Sequence, residues 1–461
     1  VSSHAEANIP TIIRQHLVQQ SIPHALGPNR PTLERAEVCL LSDDQGIVQV
    51  FAASNSIVDL EKVRAISRHS LNPMPKKDVD RLKSQLNIST FPAFDDLFPA
   101  FTIIDKALYE ADRIFVYSGN AAHLLALKSP ADMKRKEDTL IEQVATVIPM
   151  DNLDYELSLF DHDRNEINSA VTKFTALRIR QRLEETLEIP PLPDTVQAII
   201  RLRVDPDANI EKLSNIVERD PSLAAQVVSW ASSSYYSAPG SIKSVQDAIV
   251  RVLGFDLVMN LALGLSLGKS LELPEQKESE VPYWNVAVYV AATVGALVSA
   301  IPREFRPSFG LSYLAGLLHN FGYLILGHSF KPHFETTNQM IDLNPHIEHQ
   351  HVEKHVLGIT RDQIASNLMN SWSLPNEVTL GIRYQSDPKY LGEACDQAHL
   401  IYLAIHMLER YDMLPKSNQR FNPVVLENLN IKMEDIEQVM EQLKANQQEL
   451  DMIASALKAE D

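Results

Sequence analysis

Several groups of residues in this chain carry atoms that could do chemistry. His346, His349, His351 and His355 crowd into NPHIEHQHVEKH, and the four-residue step from His351 to His355 sets two imidazoles on one helix face, within reach of a shared zinc ion. The order H-E-x-x-H is missing, so the expectation is a solvated helix. Asp161, His162 and Asp163 offer oxygen and nitrogen ligands, but neighbours on an acidic stretch do not converge on an ion by themselves. Ser232, Ser233 and Ser234 have no G-x-S-x-G elbow and no Asp-His arrangement around them, and read as helix-end polar groups, with Tyr235 and Tyr236 anchoring the turn. His24, His69 and His123 have no acidic or sulfur neighbour in sequence. Lys62 and Arg64 read as exposed helix charges. Phe91, Phe94, Phe98 and Phe101, interrupted by Pro92 and Pro99, read as a loop laid over a sheet face.

The elements that must hold these residues follow from pattern and composition. Lys plus Arg number 42 against 60 Asp plus Glu, a net charge of -18 that argues against a broad nucleic-acid surface or adhesion to acidic lipid. A chain of 461 residues, 45% hydrophobic and 22% charged, calls for two or three folded domains. Cys39 and Cys395 make no disulfide framework and fit a reducing, cytoplasmic setting. The most apolar run, residues 285–301, lies between Pro282 and Pro302 and reads as a buried helix, so no membrane is expected. The first residues lack the basic region and apolar core of a signal peptide.

Residues 9–22 carry helical spacing after Pro10. EVCLLSDD, GIVQVFAA and RIFVYSG read as strands, and VDLEKVRAIS and PKKDVDRLKSQL as helices. Residues 1–130 are thus expected to form an α+β domain with a mixed sheet, and 131–184 an acidic linker with a connecting helix. Pro190 and Pro191 mark the entry to a helical region, and Pro239 with Gly240 interrupts it. Asp220-Pro221 starts a helix because proline lacks the amide hydrogen that would be orphaned there, and Gly254 ends another. Leu213, Ile216 and Val217 are expected to pack against Leu223, Val227 and Val228. Residues 412–461 end in an amphipathic helix with Ile436, Val439, Met440 and Leu443 on one stripe, which either caps the helical domain or pairs with a second copy in a homodimer.

Residues 185–411 resemble the HDOD domain, an all-helical relative of the metal-dependent HD phosphohydrolases. The resemblance rests on PPLPDTVQ, LSNIVERDPSLAAQVVSWASSSYY, SIKSVQDAIVRVLGFDLVMNLAL, the pair Tyr283-Trp284, GLLHNFGYLIL, SWSLPNEV and IRYQSDP. One departure is Ser232, where the family usually has asparagine. The resemblance implies where the ancestral metal ligands would fall. The first histidine falls on Val286, the His-Asp pair on His319 and Asn320, a later histidine on Arg361, and a His-His pair on Gln385 and Ser386. Only His319 keeps a ligand type, and a metal able to acidify water needs several imidazoles and carboxylates. The retained glycines, Gly316 and Gly322, would allow close helix packing.

Residues 1–130 resemble a degenerate YbaK and prolyl-tRNA-synthetase-associated editing domain. The match rests on the starting helix, Ile22 to His24, the strand at Val38, VDLEKV at Val58 and IIDKAL at Ile103. Active members place a lysine at the strand matched by Val38 to Leu41, and this chain has none. The glycine-containing segment near the substrate terminus is matched by STFPAFDDLFPA, which has no glycine. The resemblance therefore implies loss of deacylation.

The expectation is a multidomain chain, an α+β mixed-sheet domain followed by an all-α HDOD domain. It would serve as a noncatalytic bacterial signalling scaffold, with no catalytic residue, no metal and no cofactor. Its partner would be an unknown signalling protein or small ligand. The alternatives are a divergent metal-dependent phosphohydrolase and a protein that binds aminoacyl-tRNA.

Overall fold

The computed structural model describes residues 9–29, 34–150, 153, 159–179, 192–236, 242–269, 281–329, 331–417, 421–455 and 457. The readings placed on the first eight residues, on Pro190 and Pro191, and on Pro239 and Gly240 lie outside the described residues, as does part of the acidic linker. The chain divides into two compact units, one made of residues 1–154 and 335–357, the other of residues 155–334 and 358–461.

The first unit opens with α1 (Thr11–Gln19), entered through Pro10. Strand β1 (His24–Pro28) pairs antiparallel with β8 (His123–Leu127), which pairs with β7 (Ile114–Tyr117). A five-stranded sheet runs β5 (Asn72–Pro73), β2 (Ala36–Ser42), β3 (Ile47–Ala53), β6 (Phe101–Asp105), β9 (Leu140–Glu142). Its β2–β3 ladder is antiparallel and its β3–β6 and β6–β9 ladders are parallel, so the sheet is mixed as expected. The parallel β3–β6 step needs a crossover, which contains α2 (Leu60–Ser67), capped by Asp59, and α3 (Lys76–Leu86). The short helix α4 (Lys106–Tyr109) follows β6.

Alternation along β2 and β3 builds two cores. Leu40 and Phe51 join α1 and the buried Phe91, Phe94 and Phe98, so the phenylalanine loop packs inward, with Phe101 starting β6. Cys39, Leu41, Val48 and Val50 face the opposite core.

The boundary expected at residue 130 has to move. β9 adds a strand to the sheet, and β10 (Ala145–Val147) pairs with β4 (Ser56–Val58), so residues up to about 147 complete the first unit and are not linker. Nor do residues 335–357 group with the rest of 185–411. Met340, Leu343, Ile347 and Val352 complete the core under β2 and β3, because Asn344 bonds both backbone groups of Val58.

The second unit is helical. In order it contains α5 (Leu159–Ile179), α6 (Asp194–Arg203), α7 (Ile210–Glu218), α8 (Pro221–Ser232), α9 (Val245–Ala248), α10 (Phe255–Lys269), α11 (Tyr283–Ala300), α12 (Phe309–Leu318) and α13 (Phe321–Ser329). Next come α14 (Lys331–Leu343), whose later residues belong to the first unit, and α15 (His349–Leu357), which lies wholly within it. The second unit resumes with α16 (Arg361–Ser371), α17 (Asn376–Arg383), α18 (Cys395–Arg410), α19 (Val424–Asn428), α20 (Met433–Ala445) and α21 (Gln447–Ser455).

Local chemistry sets many of these ends. The Asp220 carboxylate accepts from Leu223 N–H at 3.0 Å while Pro221 fills the first turn of α8. A π turn extends α9 to Leu253, and Gly254, at φ +80°, stops it. Leu213, Val217, Leu223 and Val227 are buried as the spacing predicts, with Ile216 and Val228 half-buried. The stretches Tyr283–Ala300 and Phe309–His328 are long and apolar enough to cross a membrane, and both are mostly buried within this unit. α20 and α21 pack on α11, where the Asp451 carboxylate accepts from Asn285 and Tyr289.

Candidate functional site

His319 caps the C-terminal end of α12 and is 6% exposed. Its Nδ1–H donates to the Gly316 carbonyl at 2.8 Å, leaving Nε2 as the basic nitrogen. Burial pushes its pKa down to about 4, and the neighbouring Arg361 charge acts in the same direction, so the ring is neutral near pH 7. Two glycines make the surroundings tight. A Cβ on Gly316 would stand 3.0 Å from the Ala291 Cα of α11, and one on Gly322 would stand 2.1 Å from the Arg361 carbonyl oxygen. The start of α16 is thereby pressed against α13.

Arg361, the first residue of α16, donates from Nη1 to Asn320 Oδ1 at 3.4 Å and lies 5.3 Å above the Tyr323 ring, which stacks on Tyr283. The Gln385 amide nitrogen spends both hydrogens, one on the His319 carbonyl at 2.9 Å and one on Asp362 Oδ1 at 2.8 Å. Hydrogen bonds therefore join four of the six positions to which the resemblance points: His319 to Gln385, and Asn320 to Arg361. Ser386 follows Gln385 and is half-buried, while Val286 sits half-buried on α11 and offers only hydrocarbon.

These residues do not fit a two-metal centre. Val286 offers no ligand atom, and His319 holds its Nδ1 against the Gly316 carbonyl. The Arg361 guanidinium brings a fixed positive charge into the same space. Among the described residues no group of three or more His, Cys, Asp or Glu could hold a metal ion.

A polar network missed by sequence reasoning adjoins these positions. Asp163 of α5 is buried and takes two hydrogen bonds from Arg383, from Nε at 2.7 Å and from Nη2 at 3.1 Å. Gln363 of α16 donates to Asp163 Oδ1 at 2.8 Å and to Glu166 Oε2 at 2.6 Å. Asp163 had been weighed only as part of an acidic triplet. The readable signal was the Thr360–Gln363 capping box, which places Gln363 but not its second set of partners.

The remaining candidates resolve individually. The solvated-helix expectation for residues 346–355 is overturned: Gln350, His351, Val352 and Glu353 are buried, and of the His351–His355 pair only His355 is exposed. His346 Nε2 lies 2.9 Å from the Ser56 carbonyl and Nδ1 lies 3.9 Å from Cys39 Sγ. Burial pushes the Cys39 thiol upward and His346 downward, so this pair is neutral and unreactive. Ser232 and Ser233 donate to carbonyls of their own helix, at Val228 and Trp230, and the Ser234 side chain lies outside the description. The Tyr236 hydroxyl accepts from Trp230 Nε1 and donates to the Tyr313 hydroxyl, anchoring the turn. His69, without a sequence neighbour, pairs with Asp43 at 2.9 Å, and His24 faces the Ile22 carbonyl at 2.9 Å. Lys62 is exposed, whereas Arg64 is half-buried and donates to the Leu71 carbonyl.

The HDOD domain family matches residues 189–388, inside the span expected from the motifs. A provisionally named signal transduction protein from Marinobacter aquaeolei VT8 is 37% identical over 97% of this chain and 99% of its own, with a TM-score of 0.83. An HDOD domain protein of unknown function from Geobacter sulfurreducens is 20% identical over 63% of this chain and 96% of its own, with a TM-score of 0.49. A provisionally named phosphohydrolase from Shewanella amazonensis SB2B is 20% identical over 58% of this chain and 95% of its own, with a TM-score of 0.47. The last two are too dissimilar in shape to bear on function. No curated protein matches. The editing-domain resemblance of the first region gains no support from these matches. Near full-length identity to the Marinobacter protein, together with the match at residues 189–388, makes this chain a member of the HDOD-domain family.

Proposed function

We propose that this chain is a noncatalytic regulatory scaffold of bacterial signal transduction, cytoplasmic, whose HDOD domain recognises a protein or small ligand instead of hydrolysing a phosphate ester. One observation carries the reading: the Gln385 amide nitrogen donates to both the His319 carbonyl and Asp362, tying these groups to each other by hydrogen bonds. The Marinobacter relative, provisionally named a signal transduction protein, adds support for signalling. On this reading the first unit is a sensor or adaptor derived from an editing-like domain. Its missing lysine and its inward-packed Phe91, Phe94 and Phe98 favour this reading over deacylation.

The test uses the full chain supplied in turn with Mn, Fe, Mg and Ni, assayed on cyclic dinucleotides and scored for bound metal. The expected result is no turnover and no stoichiometric two-metal centre. Robust metal-dependent turnover abolished by His319→Ala would overturn the proposal in favour of a divergent phosphohydrolase.

A further inference from the structure

Chain order brings α5 in soon after the opening stretch of the first unit, and α16 in directly after its second stretch, residues 335–357. Two side chains of α16 tie these re-entry helices together: Asn367 donates to the Phe160 carbonyl of α5 at 3.1 Å, and Gln363 does more. Gln363 Oε1 accepts from Thr360 N–H at 2.9 Å and Thr360 Oγ1 accepts from Gln363 N–H at 3.2 Å, closing the capping box. Gln363 Nε2 meanwhile donates to Asp163 and Glu166 of α5. Carboxylates are favoured there, because the first turn of a helix presents positive partial charge.

The two residues before Gln363 reach elsewhere. Arg361 reaches Asn320, and Asp362 accepts from Gln385, which also holds the His319 carbonyl. Successive helix positions point about 100° apart, so three consecutive side chains address three separate neighbours. Immediately upstream, Gly358 ends α15 at φ +79°. We infer that the first turn of α16 is a coupling junction, which ties both re-entry points of the chain to the vestigial metal site, so that displacing either one is felt along Arg361, Asp362, Gln385 and His319. This deepens the regulatory reading above and rests on it for its biological meaning.

A shared network is only a candidate for coupling until the coupling is measured. Hydrogen exchange in the full chain measures it with two substitutions. Gly358→Ala strains one re-entry through the backbone alone, since a Cβ there meets nothing within 4 Å. Gln363→Glu keeps the acceptor for Thr360 N–H but replaces the amide donor with a third carboxylate facing Asp163 and Glu166. In the native background Gly358→Ala should raise exchange of the α5 amides 163–170 by about threefold or more, within the range found for residues of one network. With Gln363→Glu already present, that increase should shrink to the part carried by the Asn367–Phe160 bond. If Gln363→Glu does not fold, Glu166→Ala removes one of the two carboxylates from a position 25% exposed and should reduce the same increase. No increase in the native background, or an equal increase in both backgrounds, overturns the junction. Exchange reports on the junction independently of hydrolysis, so a phosphodiesterase activity would sink the proposed function while leaving this result to stand or fall alone.

Discussion

Asp163 and Arg383, 220 residues apart, form an ion pair with side chains 0% and 4% exposed, and this gives the most demanding prediction. Neither charge can return to water when its partner is removed. Asp163→Leu takes two charge-assisted hydrogen bonds from the guanidinium, and Arg383→Met leaves the carboxylate, among the described residues, with the Gln363 donor at 2.8 Å. Each single substitution should cost about 3–5 kcal/mol. The double variant, with apolar side chains of similar volume and no stranded charge, should recover most of that loss, because paired burial gains little over good packing. For a unit of this size, about 2 °C per kcal/mol puts the single variants roughly 6–10 °C below the native transition. The assay is thermal unfolding followed separately for each unit by hydrogen exchange, since two units need not melt together. Asp161→Leu on the same helix is the control. Asp161 and its partner Arg164 are 91% and 57% exposed, so the substitution should leave the transition where it was. Single variants that melt like this control, or a double variant as damaged as the singles, would refute the reasoning.

Two further predictions concern other links. The His319 pKa is lowered, so the unfolded chain binds its proton first. The stabilisation is present above the unfolded value near 6.5 and is lost as pH falls toward about 4. Between pH 7 and pH 5 this histidine should account for about 2 kcal/mol of lost stability in the second unit. In an NMR titration its ring should stay neutral down to pH 5; a midpoint near 6.5 would contradict the burial argument. In the first unit, Asn344→Ala removes an acceptor 2.7 Å from Val58 N and a donor 3.0 Å from Val58 O, both buried. Leaving two buried backbone groups unpaired should cost about 2–4 kcal/mol, read as faster exchange across β4 and β10. A cost below about 1 kcal/mol would mean that the strand edge finds other partners.

Local features were legible from sequence because their causes are local. Asp220-Pro221, Gly254 and the alternation in β2 and β3 each act within a few residues, and the structure places them as the spacing implies. The HDOD match at residues 189–388 was legible through ordered motifs of differing composition. Long-range pairings left no such trace. Arg383 lies at the end of α17 with nothing nearby to mark it as the partner of an aspartate on α5. The segment 346–355 was misread for a related reason: its polar periodicity says solvent, but Met340, Leu343, Ile347 and Val352 join a core whose other buried members precede residue 150. A polar helix inserted into a core by its flanking residues buries its polar side chains with it.

At the positions where the resemblance implies metal ligands, Asn320, Arg361 and Gln385 each carry hydrogen-bond donors. The Gln385 amide nitrogen uses both of its hydrogens on oxygens of this cluster, the His319 carbonyl and the Asp362 carboxylate. Arg361 brings a permanent positive charge to Asn320 and to the face of the Tyr323 ring. These hydrogen bonds run through the end of α12, the start of α16 and the residue pair after α17. A buried polar group costs free energy unless it is paired, so the bonds make the position of α16 depend on the rest of the unit.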